Sequence, residues 1–220
     1  MIELTNKDGR SIQVLVDNYF REKQQVAARI NGEGRVVTFK TDVLDEASIA
    51  ALEEWYEGYA IAKLLRFEIV REPGDQKGTC HFKVMVTSAS NHELGALRCD
   101  YTIAFKKRRL VEKEESSSTA SSNKKSKTFK FEEIDSYEIR EGVYELESIP
   151  ARGRVQFVSD TVPTENTQTI VRNKDKGPED VRVKNSVQGI HLKVYSKDRL
   201  LREIESKSGM KQIIEKYSRG

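Results

Sequence analysis

Two cysteines, one tryptophan, three histidines and four prolines are spread over 220 residues. That scarcity excludes much. Two cysteines cannot complete a zinc centre, and His81, His92 and His191 stand apart, without the close spacing of metal ligands. No apolar run approaches the roughly 20 residues that span a bilayer as a helix. Neither sign of charge dominates: 38 basic against 35 acidic residues leave +3. Residues 1–65 hold 8 Lys/Arg and 11 Asp/Glu, a net of −3, so the remainder carries +6. A dedicated nucleic-acid binder concentrates positive charge more strongly. Missing too are a phosphate-binding glycine loop, a dinucleotide fingerprint and a nucleophile elbow. Paired carboxylates such as Glu132 and Glu133 carry no chemistry without a pocket. A non-catalytic protein is expected, with no cofactor and no metal.

What the chain does have is alternation. Residues 2–40 read as an antiparallel meander: "IELT", a turn at "NKDG", "RSIQVLV", "QQVAARI", a turn at "NGEG", and "RVVTFK". Such spacing predicts a small closed barrel, which leaves no free edge. A helix follows over 45–56, capped by Asp42 or Asp45, with Ile49, Leu52, Trp55 and Tyr56 at helical spacing and a bend or a strained continuation at Gly58. From Leu65 the period becomes two. Phe82, Val84 and Val86 fall on one side of a strand; Leu97, Cys99, Tyr101, Ile103 and Phe105 fall on one side of another. Nine or ten strands follow Leu65, ending in a hairpin around "SKD" and a brief helix capped by Ser208. The predicted fold is mainly β: an SH3-like barrel with its helix over 1–62, then an immunoglobulin-like sandwich over 63–220 that lacks the buried Trp of antibody domains. A flexible Ser-rich loop at 112–127, "EKEESSSTASSNKKSK", interrupts the sandwich.

Cys80 and Cys99 flank "SASNHE". Folded back near Ser90, the stretch sets them across a hairpin, where they are either bridged or two free, buried thiols. The densest basic run, "FKKRRL", offers Lys106, Lys107, Arg108 and Arg109. These four either contact an acidic partner or guard an exposed strand edge. Met1 runs into "IELTNKDGR" with no leader, so the chain is either cytosolic or an exported protein read without its leader.

"LTNKDGRSIQVLV" followed by "VAARINGEGRVVTFKTDVLDEASIAALEEW" resembles, over residues 3–55, a small β-barrel module of secreted planctomycete and verrucomicrobial proteins, related to the SHD-type domain of a yeast endocytic adaptor. Leu4 stands where that pattern has an aromatic. "QGIHLKVYSKDRLLREIESKSGM" is similar to a hairpin closing Ig-like secreted proteins of verrucomicrobia, some of them type IV pilus components; Lys193 replaces an arginine there. The resemblance implies export, and with it a formed Cys80–Cys99 bridge. It also implies a protein partner at the cell surface, either pilus components or a second copy of the chain. The rival of another class is a cytosolic module that binds nucleic acid or acidic polymer through the basic strand ends.

Overall fold

The computed structural model describes residues 1–114, 129–171 and 177–218. The chain divides into two compact units, Met1–Leu65 and Arg66–Gly220. It is mainly β, with several antiparallel sheets, none of them closed. No helix among the described residues is long and apolar enough to cross a membrane.

In the first unit, strands β1 (Ile2–Thr5), β2 (Ser11–Phe20), β3 (Gln25–Ile30) and β4 (Val37–Lys40) pair in chain order. The β1–β2 turn is held by Asn6, whose Oδ1 accepts from the amides of Asp8 and Arg10 at 3.1 and 2.8 Å. The closed barrel expected from the turn spacing is not formed. β4 is only four residues long, and β1 is met past its end by the segment after β4, through the Asn6–Leu44 bridge and the Asp45 amide donating to Thr5 O at 3.0 Å. Helix α1 (Glu46–Lys63) covers the apolar sheet face instead: Leu52 is buried with Leu4, Val14, Val16, Val26 and Ala28, and Trp55 and Tyr56 pack against that cluster. Asp45 caps the helix by accepting from the Ser48 amide at 2.8 Å, and those Ser48 contacts lower its carboxyl pKa. Ser48 Oγ in turn accepts from the Thr5 amide, tying the helix start to β1. The helix runs on past Gly58 to Lys63. A glycine costs a helix up to about 1 kcal/mol relative to alanine, and Ala60 and Ile61, both fully buried beyond it, offset that cost.

The second unit contains β5 (Leu65–Pro73), β6 (Thr79–Ser88), β7 (Leu97–Glu114), β8 (Phe129–Leu146), β9 (Arg154–Val158), β10 (Val162–Pro163), β11 (Glu165–Ile170), β12 (Glu179–Lys184), β13 (Ser186–Ser196), β14 (Arg199–Glu205) and helix α2 (Met210–Tyr217). One sheet centres on β6, with β5 on one side and β9 and β10 on the other; a second has the order β14-β13-β7-β8; β11 and β12 form a hairpin of their own. Period two governs burial. Cys80, Phe82, Val84, Val86 and Ser88 are buried on β6, and Leu97, Cys99, Tyr101, Ile103 and Phe105 on β7. Side chains of the two larger sheets meet: Tyr144 of β8 stacks on Phe157 of β9 at 4.6 Å, and Tyr101 Oη accepts from the Asp160 amide at 3.0 Å. The β13–β14 turn puts Lys197 and Asp198 both at positive φ, 47° and 62°, the geometry of a two-residue type I′ hairpin. Helix α2 is capped by Glu205 rather than Ser208; its carboxylate accepts from the amides of Gly209 and Lys211 at 2.9 Å each. Of the Ser-rich stretch 112–127, residues 112–114 end β7; the rest lies outside the described residues.

The expected Cys80–Cys99 bridge is not formed, and both cysteines are free thiols. Topology explains it. β6 and β7 belong to different sheets, so no hairpin joins them. Cys80 lies opposite Val162, and Cys99 opposite Tyr144 and Val194. The connecting stretch is a crossover in which Ser90 is fully buried and Leu94 bridges to Ile149.

Candidate interaction surface

Period-two sequence puts alternate β7 and β8 side chains on opposite faces, so oppositely charged residues on the two strands meet in cross-strand pairs. Lys106 pairs with Asp135 at 3.3 Å and Lys107 with Glu138 at 3.4 Å. Arg108 pairs with Glu133 at 2.9 Å and Asp135 at 3.1 Å. Arg108 and Lys106, as hydrogen-bond donors, lower the Asp135 pKa. Arg109 is exposed opposite Ile134 and makes no ion pair among the described residues. Three of the four expected contact residues are therefore neutralised within the hairpin. Lys106 lies where β7 is paired on both sides, at the last β13 pair, and Lys107, Arg108 and Arg109 lie just beyond it.

Beyond Lys106, where β13 ends its pairing at Ser186, β7 and β8 continue together as a two-stranded arm. At this fork the chain of β12 and β13 leaves β7. Three carboxamides satisfy the β7 backbone that it abandons. Asn185 Oδ1 accepts from the Arg108 amide at 3.2 Å, Asn166 Nδ2 donates to Arg108 O at 2.9 Å, and Gln168 Oε1 accepts from the Leu110 amide at 2.7 Å.

The other side of the arm is different. Among the described residues β8 pairs only with β7, so its outer edge is open along 18 residues. The half nearest the sheet core carries Tyr137, Arg140, Glu141, Val143 and Tyr144, all exposed; Val143 is 59% exposed. Arg140 Nη1 donates to Thr161 O at 2.5 Å. An open edge of this length presents a row of backbone donors and acceptors to any extended chain.

The first unit offers a concavity rather than an edge, a shallow cleft of about 540 Å³ lined by Tyr19, Arg21, Gln24, Thr41, Ile49 and Glu53, among others. Several of its polar groups engage each other, while Arg21 Nε is buried without a hydrogen-bond partner. Tyr19 donates to Glu53 Oε1 at 2.7 Å, Arg21 pairs with Glu53, and the Arg21 guanidinium lies 4.5 Å over the Tyr56 ring. Burial is the chief cause raising the Tyr19 pKa.

The three histidines are dispersed. His81 is 3.6 Å from Glu72, the His92 amide donates to Ser90 Oγ, and His191 is buried on β13. No group of His, Cys, Asp and Glu that could hold a metal is found among the described residues. Burial pushes the Cys99 thiol up to about 12, the opposite of a reactive cysteine.

The fork carboxamides and the Arg21–Glu53 pair carried no signal in the sequence. Each joins residues far apart in the chain, 77 positions in the case of Asn185 and Arg108. No protein-family model matches this chain, no curated protein matches it, and no solved structure matches it.

Proposed function

We propose that the protein is a non-catalytic binding and assembly protein that adds a strand at the open edge of β8. The single observation behind this reading is that 18-residue edge, without a partner among the described residues and beside a strand whose own abandoned edge is sealed by carboxamides. The occupant is the same edge of a second copy. Antiparallel pairing centred on Ile139 sets each Arg140 opposite Glu138 of the other copy, Tyr137 opposite Glu141, and Val143 opposite Asp135. No like charges meet between Ile134 and Tyr144 in that register, and opposite charges across a strand pair contribute roughly 0.2–1 kcal/mol.

The setting we propose is the cell surface, in a type IV pilus system, with an SH3-like first unit followed along the chain by an Ig-like sandwich. Export rests on the resemblance of residues 3–55 alone. The ion pairs of Lys106, Lys107 and Arg108 favour this reading over polyanion binding, because they leave little unbalanced charge.

Charge reversal tests the register. Arg140→Glu sets the introduced carboxylate against Glu138 of the other copy and abolishes self-association in analytical ultracentrifugation. The double change Glu138→Arg with Arg140→Glu restores it. Unchanged association in the single variant, or none in the double, overturns the proposal.

A further inference from the structure

His191 is the one histidine in the described structure that is almost wholly buried, at 5% exposed, and its Nε2 has no hydrogen-bond partner. It lies on β13 opposite Thr102 of β7 and Glu205 of β14. Its charged surroundings come from every neighbouring element. β14 supplies Glu203, 3.9 Å from Nε2, and Glu205; β13 supplies Lys193; α2 supplies Lys211. Asp100 of β7 stands two pairs along, opposite Lys193, and Glu215 of α2 faces Lys211.

The same groups anchor α2. Lys211 pairs with Glu203 at 3.0 Å. Glu205 caps the helix through two amides. Ser206 Oγ accepts from the Ile190 amide at 3.0 Å, next to His191. Met210, fully buried, sits on Gly189, where an added Cβ would come within 2.8 Å of the Met210 sulfur. At the far end of the helix Tyr217 packs on Tyr137 at 4.2 Å.

We propose that α2 is a latch released by acid: protonation of His191 requires water at a ring that the closed helix and strands exclude, so falling pH favours the form in which α2 has lifted from the sheet. A neutral imidazole fits the closed site; an imidazolium there would be buried beside Lys193 and Lys211, with Glu203 already engaged by Lys211. Burial is the largest influence on the ring and lowers its pKa, outweighing the opposing carboxylates. Opening hydrates the ring and restores its ordinary titration near 6.5. Opening also bares Tyr137 and the apolar underside of α2. An eight-residue helix with Met210 as its one buried residue opens locally at low cost, so the rest of the sheet stays folded.

Linkage sets the size of the effect. A proton taken up preferentially in the open form, with a pKa near 6.5, raises the opening constant by at most about tenfold between pH 7.5 and 5.5. Hydrogen exchange of residues 210–217, corrected for the intrinsic pH dependence of amide exchange, should show a loss of protection up to that size in the full chain. His191→Leu should abolish it. Equal corrected protection at both pH values in the wild type, or the same loss in His191→Leu, overturns the latch. Should that variant not fold, the His191 ring itself is followed by NMR in the wild type: a transition below 6.5 supports the latch, and one at or above 6.5 overturns it.

Discussion

Asn185 and Arg108 meet where two β-ribbons part: the Asn185 carboxamide oxygen accepts from the Arg108 amide at 3.2 Å and from Asn166 Nδ2 at 2.8 Å, while its nitrogen donates to Pro163 O at 3.2 Å. A strand that loses its neighbour leaves backbone donors bare, and an orphaned buried donor costs roughly 1–3 kcal/mol. The carboxamide replaces the missing strand over one residue. Asn185→Ala should therefore destabilise the second unit by about 2 kcal/mol, read in urea denaturation. Asn185→Asp retains the acceptors but loses the donor to Pro163, and should cost less.

Gly142 lies directly opposite Tyr101, whose ring occupies the space a side chain would take; an added Cβ would fall 2.3 Å from the tyrosine hydroxyl. That hydroxyl holds the Asp160 amide. Gly142→Ala should push the ring off Asp160 and cost about 1–3 kcal/mol, as overpacking does. Thermal denaturation measures it. Tyr101→Phe should cost less, since it removes the hydrogen bond without a clash.

The basic run is held by carboxylates, so removing one should release it. Asp135→Ala frees Lys106 and loosens Arg108. Because the pair is part-exposed, stability should change by less than about 1 kcal/mol. Retention on heparin should nevertheless rise, with elution at higher salt than the wild type, since counterion release scales with free cations.

Burial holds the Cys99 thiol protonated in the folded chain up to about 12, against an ordinary 9.0. A group with a raised folded pKa contributes stability that is fully present below 9.0 and is lost as pH rises from there towards 12. Denaturation midpoints should fall across that window, less so in Cys99→Ala once its own cavity cost is subtracted. Both thiols should react with a disulfide reagent only at the rate of unfolding.

Period-two patterns were readable because a strand's environment repeats every second residue: the buried positions of β6 and the single-sided burial of β7 follow directly from Phe82, Val84, Val86 and Leu97 to Phe105. The "SKD" hairpin and both helices were readable for similar local reasons. Partner choice between strands was not local. "SASNHE" has turn chemistry, yet its flanks enter different sheets, and nothing in the neighbouring sequence announces that. The same blindness hid the edge of β8, which is set by where the other strands go rather than by its own residues. Gly58 left a bend or a continuation open, and the helix continues because the glycine's propensity is weak beside the burial of Ala60 and Ile61. Ser208 looked like a cap, but Glu205 reaches the helix amides from the end of β14.

Strand addition at β8 is tested most directly by the mass of the native protein in solution. Light scattering across a concentration series should show growth from 25.2 kDa to twice that value, and Val143→Glu, which sets a carboxylate opposite Asp135 of the other copy, should hold the mass at 25.2 kDa. A wild-type mass of 25.2 kDa at every concentration, or a dimer indifferent to Val143→Glu, would contradict the account.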